Sequence, residues 1–384
     1  MLPELTQLDS LRVFMTTETT TGLWHYGLDL AQGLRAYDTN TTLCVLGPEP
    51  TASQAATARR IPGLKLICLD LPRNWHTASP AQVLDAAEQV AAMAREEGVR
   101  MVHLNSPLLA ADAHYSTPVV TAWHSCIPTW WQSVRAQPFD HSLDWHKNAI
   151  GTGLACSDAV IAPSGAFAQV LFETYGLAKL PYVIHSGRRP STREGLPDGD
   201  AVPTTDFAFT AGRLWDDGKN LRALDKAAGL VSTPVYAAGP ISGADGSSIA
   251  FENIRALGNL CEGHLAEWLA AKPTYVSTAC YEPFGLRVLE AAEAGCPLIL
   301  SDIPTFRELW EGAAEFVPCE DAEAVAGAIA RVSADSTLRA RLASAARRRA
   351  RRYTAEVMAA KVRAIYGGLL RKTTRQRPRS EVAA

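Results

Sequence analysis

The sequence has no apolar run approaching 18 residues, which excludes a segment that crosses a bilayer as a helix. It also lacks the basic start and apolar core of a secretory leader, because MLPELTQLDSLRVFM carries Glu4 and Asp9 and no early Lys or Arg. Its eight cysteines, at 44, 68, 126, 156, 261, 280, 296 and 319, form no CxxC. They are expected as reduced, buried thiols of a cytoplasmic protein. No GxxxxGK[ST] phosphate loop and no GxSxG nucleophile elbow occurs. Gly151-Thr152-Gly153 has Cys156 where a dinucleotide fingerprint needs its third glycine. His141 and His146 are spaced too far around a helix to share an ion. With no other paired ligands, neither a metal nor a cofactor is expected.

A strong charge of one sign is missing too, since 37 basic and 40 acidic residues give a net charge of −3. That total hides an asymmetry. Residues 339–384 hold 14 Lys/Arg and 2 Asp/Glu, whereas the other 338 hold 23 and 38. The basic end reads as the solvated face of a long helix, with Leu338, Leu342, Ala345 and Ala346 on its buried side. A second reading is contact with an anionic membrane surface. The acidic body argues against nucleic acid as a partner. Residues 371–384 read as a disordered tail.

What the chain does have is an ordinary soluble composition, 47% hydrophobic and 20% charged, over 384 residues, which suggests two domains. Short apolar runs of β type recur: 11–15, 43–46, 65–69, 99–104, 118–122, 159–162 and 181–184, then 207–210, 234–238, 254–258, 274–278, 297–300 and 315–318. Helical patterns lie between them, as in Leu23, Tyr26, Leu30 and Leu34, in Val83, Ala87, Val90 and Ala94, and in Val325, Ile329 and Val332 behind an Asp321 cap. Alternation of this kind predicts α/β layers with parallel sheets. SGRRPSTREGLPDGDAVPTT, residues 186–205, has no apolar periodicity and reads as a linker and hinge. Two facing sheets would form a ligand cleft at their adjoining strand ends.

Two segments carry chemistry. In YEPFGLRVLEAAEAGCPLILSDIPTFREL, residues 281–309, Glu282 is expected at a helix start with Pro283 in the first helical position. Gly285 leaves room for a ligand near the backbone, and the helix should stop at Gly295. Its N-terminus would offer free N–H groups to a phosphate or sugar hydroxyls. Glu282 and Glu290 are spaced E-x7-E, and a carboxylate can accept two hydroxyl hydrogen bonds, as a diol requires. In AGRLWDDGKNL, residues 211–221, Arg213 and Lys219 follow a predicted strand, with Gly212 and Gly218 allowing turns. Paired cations there suit a leaving diphosphate. The plainer readings are a helix cap, an exposed helical acid and solvated loop charges. His124, among Trp123, Cys126, Pro128, Trp130 and Trp131, could equally be a packed ring.

Together with VVTAWHS at 119–125, SDAVIAPS at 157–164 and VIHSG at 183–187, these segments resemble the retaining glycosyltransferases of family four over nearly the whole chain. The resemblance implies a GT-B architecture. Residues 1–188 would be a Rossmann-like acceptor domain, 189–352 a Rossmann-like nucleotide-sugar donor domain, and 353–384 a helix crossing back to the first domain plus the basic tail. It implies that Arg213 and Lys219 hold the donor diphosphate. Glu282, with the backbone at Phe284, Gly285 and Leu286, would hold the sugar, and Glu290 the ribose. His124 would lie near the transferred sugar. Gly212 and Gly22 complete the donor-binding set, and backbone near 258–265 would meet the base. The family's paired glycines of the first loop are here Thr21 and Gly22, and Ser186 stands where Asn is usual. The implied activity is hexosyl transfer from a nucleoside diphosphate sugar to a glycan, lipid-linked or small-molecule hydroxyl. It would belong to polysaccharide biosynthesis, in the cytoplasm or at the inner membrane face. An epimerase or phosphorylase of the same fold, or a non-catalytic sugar-nucleotide binding subunit, is the alternative.

Overall fold

A computed structural model describes residues 10–20, 22–71, 79–135, 137–189, 202–243 and 246–376. The chain divides into two units: 1–128, 139–187 and 355–384 form the first, and 129–138 with 188–354 the second.

The elements alternate as the apolar runs predict. They begin β1 (Leu11–Thr17), α1 (Leu23–Leu34), β2 (Thr39–Leu46), α2 (Ala52–Arg59), β3 (Leu64–Leu69), α3 (Pro80–Glu96), β4 (Met101–Leu104), β5 (Val119–Ala122), α4 (Ile127–Val134), α5 (Asp144–Cys156), β6 (Ala159–Ala162), α6 (Gly165–Tyr175) and β7 (Tyr182–Val183). They continue with β8 (Ala208–Ala211), α7 (Leu221–Ala228), β9 (Val235–Ala238), β10 (Arg255–Ala256), α8 (Glu262–Ala270), β11 (Thr274–Ser277), α9 (Leu286–Ala294), β12 (Leu298–Ser301), α10 (Pro304–Trp310), β13 (Glu315–Val317), α11 (Ala322–Ala334), α12 (Ser336–Ala350) and α13 (Ala355–Gln376). All thirteen expected strands are present.

The first unit holds a seven-stranded parallel sheet in the order β3-β2-β1-β4-β5-β6-β7. The second holds a six-stranded parallel sheet in the order β10-β9-β8-β11-β12-β13. Both are Rossmann-like. The order reverses between β1 and β4 and between β8 and β11, and such sheets bind ligands beyond the carboxyl ends of the strands at that reversal.

Local signals explain the element ends. α3 opens on a Ser79/Gln82 capping box with Pro80 in its first turn, and Asp321 accepts from the Ala324 N–H at the start of α11. α9 departs from expectation. It begins at Leu286 rather than at Pro283, with Gly285 as its cap at φ 91°, so Glu282 and Pro283 stand in the loop ahead of it. The left-handed backbone that glycine permits turns the chain into the helix three residues later than the proline alone suggests. α9 ends at Gly295 as expected.

α13 returns to the first unit and packs on α1, burying Met358, Ala359, Val362 and Tyr366 in the same cluster as Leu30 and Leu34. Val357 of this helix is exposed, and Tyr353, where the crossing segment is expected to begin, lies before the helix, in the core of the second unit. Arg371–Gln376 are helical, whereas the rest of the expected disordered tail, 377–384, lies outside the described residues. α12 buries Leu342, Ala346 and Ala350 and exposes Arg341, Arg347 and Arg348. Most of the expected hinge, 190–201, also lies outside the described residues, as does Thr21. The cysteines are not uniformly buried: Cys44, Cys126 and Cys296 are, but Cys68, Cys156 and Cys261 are exposed and Cys280 and Cys319 half-buried.

Candidate active site

In the second unit the loops after β8 and β11 flank the strand-order reversal, and they carry both chemical segments. Gly212 follows β8 at φ 150°, and its carbonyl oxygen would sit 1.8 Å from a Cβ on Gly239. Two glycines thus allow the loops after β8 and β9 to touch. Arg213 follows, pairing with Asp216 at 2.8 Å, its side chain half exposed. A short turn then brings Lys219 to Glu282, Nζ to Oε2 at 2.5 Å.

Asp216 organises this loop. It accepts from the Gly218 N–H at 2.9 Å, from Trp130 Nε1 at 3.0 Å and from Arg213. Burial pushes its carboxyl up, but Arg213, Lys219 and these hydrogen bonds outweigh that and hold it below the usual range. Sequence reasoning passed over Asp216, although an acid three residues ahead of Lys219 is a turn signal. Trp130 belongs to 129–138, which groups with this unit, as does the Thr129 hydroxyl, 2.9 Å from that of Tyr281.

Glu282 precedes the N-terminus of α9, whose first N–H groups have no side-chain cap. Phe284 is buried edge-on to Tyr353 at 5.8 Å, so it offers backbone rather than ring to a ligand. Leu286 opens the helix. Glu290 lies one turn further on. Its Oε1 takes a hydrogen bond from Arg188 Nε at 3.0 Å and its Oε2 one from Arg287 Nη1 at 2.7 Å. Burial raises its pKa, but Arg287 and Arg188 outweigh it and hold the carboxyl below its usual range. Arg188, only 5% exposed, went unnoticed because it falls within the Pro- and Ser-rich stretch read as a linker. Glu282 and Glu290 both act electrostatically on the buried Tyr275 of β11, whose hydroxyl donates to the Ala211 carbonyl at 3.3 Å. Gly258, at the 258–265 stretch, accepts from the Gly239 N–H at 2.7 Å.

A cavity of about 400 Å³ in this unit is lined by Arg135, Asp216, Asn220, Cys280 and Glu320 among others. It shares no residue with the predicted donor set, and chemistry rather than cavity size places the candidate site at α9.

The first unit holds the remaining two candidates. Gly22 caps α1 with ordinary helical backbone, φ −60°, and is exposed. His124, beyond β5, donates from Nε2 to Asn105 Oδ1 at 3.1 Å, and its ring meets Tyr26 edge-on at 4.3 Å. Asn105 is fixed in turn, its Nδ2 donating to the Thr16 carbonyl at 2.6 Å. That bond orients the amide, so His124 Nε2 is the donor. The ring keeps some exposed surface, yet the protein packed around it lowers its pKa to about 3. The aromatic surroundings expected for His124 are therefore Tyr26 rather than the tryptophans after it.

Two parallel Rossmann-like sheets, with a last helix returning to the first unit, define the GT-B class of glycosyltransferase. Residues 20–191 match the family described as Glycosyltransferase Family 4, and residues 250–349 the one described as Glycosyl transferases group 1. These matches cover well over half the chain, which belongs to the family-four type of glycosyltransferase. A phosphatidyl-myo-inositol mannosyltransferase of Mycobacterium leprae is 26% identical over 275 residues, 67% of this chain and 66% of that protein. The match thus spans just under two thirds of that relative's length. One of the same name from Mycolicibacterium smegmatis is 36% identical over 87 residues, 22% of each chain. Among solved structures, sucrose-phosphate synthase of Thermosynechococcus elongatus superposes with a TM-score of 0.72 at 18% identity, covering 94% of this chain and all of that one. HepE of Anabaena, solved with UDP and glucose, gives 0.68 at 15% over 94% of this chain and 100% of its own. At these identities the superpositions establish the fold. No helix among the described residues is long and apolar enough to cross a membrane.

Proposed function

We propose that this chain is a retaining hexosyltransferase that moves a sugar from a nucleoside diphosphate donor to an acceptor hydroxyl without a metal. The observation that carries the reading is the convergence of Arg213, Lys219, Glu282 and the uncapped start of α9 at one sheet reversal. Arg213 and Lys219 would receive the diphosphate and the negative charge it gains as the glycosidic bond breaks. The α9 N–H groups add a positive dipole end. Lys219 now pairs with Glu282, so donor binding would release that carboxylate for sugar hydroxyls. Glu290 would take the ribose diol through lone pairs its two arginines leave unused. His124 Nε2 donates to Asn105, which leaves Nδ1 as the acceptor this ring would offer a sugar hydroxyl.

Retention requires attack from the face the leaving group departs. In this reading a leaving-diphosphate oxygen accepts the acceptor's proton, and the protein contributes position and electrostatic stabilisation. HepE, solved with UDP-glucose, supports a nucleotide sugar as donor. The mannosyltransferase relatives, by name, act on phosphatidyl-myo-inositol, which supports a lipid-linked or glycan acceptor. The exposed arginines of α12 suit the anionic surface such an acceptor lies in.

The test is a thermal-shift panel of UDP-, GDP- and ADP-sugars, where a true donor raises the Tm by mass action. With that donor, Arg213→Ala and Lys219→Ala should each lower turnover by about 10²–10³-fold. Near-wild-type turnover in both variants would overturn the assignment. Slow donor hydrolysis without acceptor separates a transferase from a silent binding subunit, which would release no free sugar.

A further inference from the structure

Two cysteines from different loops of the second unit meet beside the donor segment. Cys280 lies between β11 and Glu282, and Cys319 follows β13. Their sulfurs are 3.0 Å apart, the thiol of Cys280 donating to Sγ of Cys319 across 39 residues of sequence. Neither is bridged, and each is half-buried. Both loops are held in place. The Cys280 N–H donates to the Gly218 carbonyl at 2.9 Å, and Asn220 Nδ2 donates to the Cys319 carbonyl at 2.7 Å. The cavity of about 400 Å³ is lined by Cys280 and by Glu320, the neighbour of Cys319, so a small oxidant has room to enter beside the pair.

We propose that Cys280 and Cys319 are a reversible oxidation site, joined as a disulfide by a peroxide and separated by a dithiol. The direction of the hydrogen bond sets the order of events. Cys280 donates the shared hydrogen bond and Cys319 accepts it, so the sulfur of Cys319 is the one that attacks first. Burial pushes the Cys280 thiol up to about 12, which keeps it the proton donor. The Cys319 thiolate attacks one peroxide oxygen, the O–O bond breaks, hydroxide leaves and takes up a proton as water, and Cys319 becomes a sulfenic acid. The Cys280 sulfur then attacks the Cys319 sulfur. An S–S bond forms, the S–O bond breaks, and the hydroxyl leaves as water with the Cys280 proton. Two thiols and one hydrogen peroxide give one disulfide and two waters. A dithiol reverses the process by exchange, itself becoming oxidised.

The bond has a consequence for the neighbouring chemistry. A disulfide requires sulfurs at about 2.05 Å, so the two loops must close by roughly 1 Å. Cys280 is two residues from Glu282, and a shift of about 1 Å in a positioned group can lower turnover about 10²-fold. This effect rests on the transferase reading; the disulfide does not.

The test treats the full-length reduced protein with a few equivalents of hydrogen peroxide, alkylates free thiols, and digests without reduction. A cross-linked pair of Cys280 and Cys319 peptides is expected, lost after dithiothreitol, with the oxidised protein melting several degrees higher than the reduced one. Cys319→Ser and Cys280→Ser should show neither change while keeping the reduced protein's fold and Tm. Where the reduced protein turns over a donor, oxidation should lower that turnover in the wild type and spare it in Cys319→Ser. Alkylated Cys280 and Cys319 after treatment that oxidises the exposed Cys68, Cys156 and Cys261 would overturn the site. Unchanged turnover in a fully cross-linked sample would overturn the effect on the donor loop. The cross-link and the melting shift need no sugar transfer, so a protein that shows both yet uses no donor counts against the transferase reading alone.

Discussion

Glu290 shows how far a single residue could be read in advance. Its spacing from Glu282 singled it out, but its guanidinium partner Arg188 comes from a stretch 102 residues away. A carboxylate held between Arg188 and Arg287 contributes stability when ionised. That contribution is complete above the ordinary Glu value of about 4.3 and is lost as pH falls below it, through the lower folded value. Glu290→Gln should flatten this acid limb in a plot of Tm against pH, whereas Glu290→Ala takes a carboxylate from the buried Arg188, which keeps Glu262 at 3.5 Å, and should cost about 3 kcal/mol. His103 gives a second acid limb of different origin. It is fully buried, with the Tyr366 hydroxyl 2.7 Å from Nδ1 and the Tyr26 hydroxyl 3.3 Å from Nε2. Burial, and then the neighbouring His124, lower its pKa to about 3. The unfolded chain takes a proton below about 6.5 that the folded ring refuses, so stability declines as pH drops from there toward 3. His103→Gln should be less stable at pH 8 but lose less between pH 6.5 and 4. An equal loss in both proteins would contradict this account.

At the scale of the element, strands and their order along the chain were legible because buried parallel strands are continuous apolar runs. The start of α9 was not, because proline at a first helical position and proline in the loop before one look alike in sequence. Gly285 decided it, and Gly285→Ala should cost about 1–2 kcal/mol in left-handed strain, read as a shift in denaturant midpoint. The added Cβ would also lie 3.1 Å from Phe306. The crossing of α1 and α13 depends on Gly33, where a Cβ would stand 2.7 Å from Ala359 Cβ and 2.8 Å from the Ala355 carbonyl. Backbone cannot yield there as a flexible side chain could. Gly33→Ala should therefore destabilise the first unit by about 1–3 kcal/mol, detectable as faster hydrogen exchange in α13.

For the whole molecule, the net charge of −3 conceals an acidic body and a basic end, and the structure puts that end on two helices with different duties. α12 caps the second unit with its apolar side and turns its arginines outward, whereas α13 completes the core of the first. Removing 355–384 would bare Leu30 and Leu34, and the truncated chain should aggregate or melt at lower temperature even with donor present. A chain shortened in this way that kept the full Tm would show that α13 is dispensable to the first core.

Apolar periodicity alone determined the thirteen strands, their alternation with helices and the two-part organisation, since each of those follows from which residues must leave water. The loops after β8 and β11 were also marked in advance, because glycine, proline and paired charges are local signals. Tertiary structure alone decided which partners those charges have. Lys219 against Glu282, Arg188 behind Glu290, Asn105 behind His124 and Cys319 against Cys280 are all pairings set by strand order, which brings distant loops to one edge. Sequence spacing cannot encode that order, because a parallel sheet forms its neighbours through crossovers whose length hides which strand lies beside which.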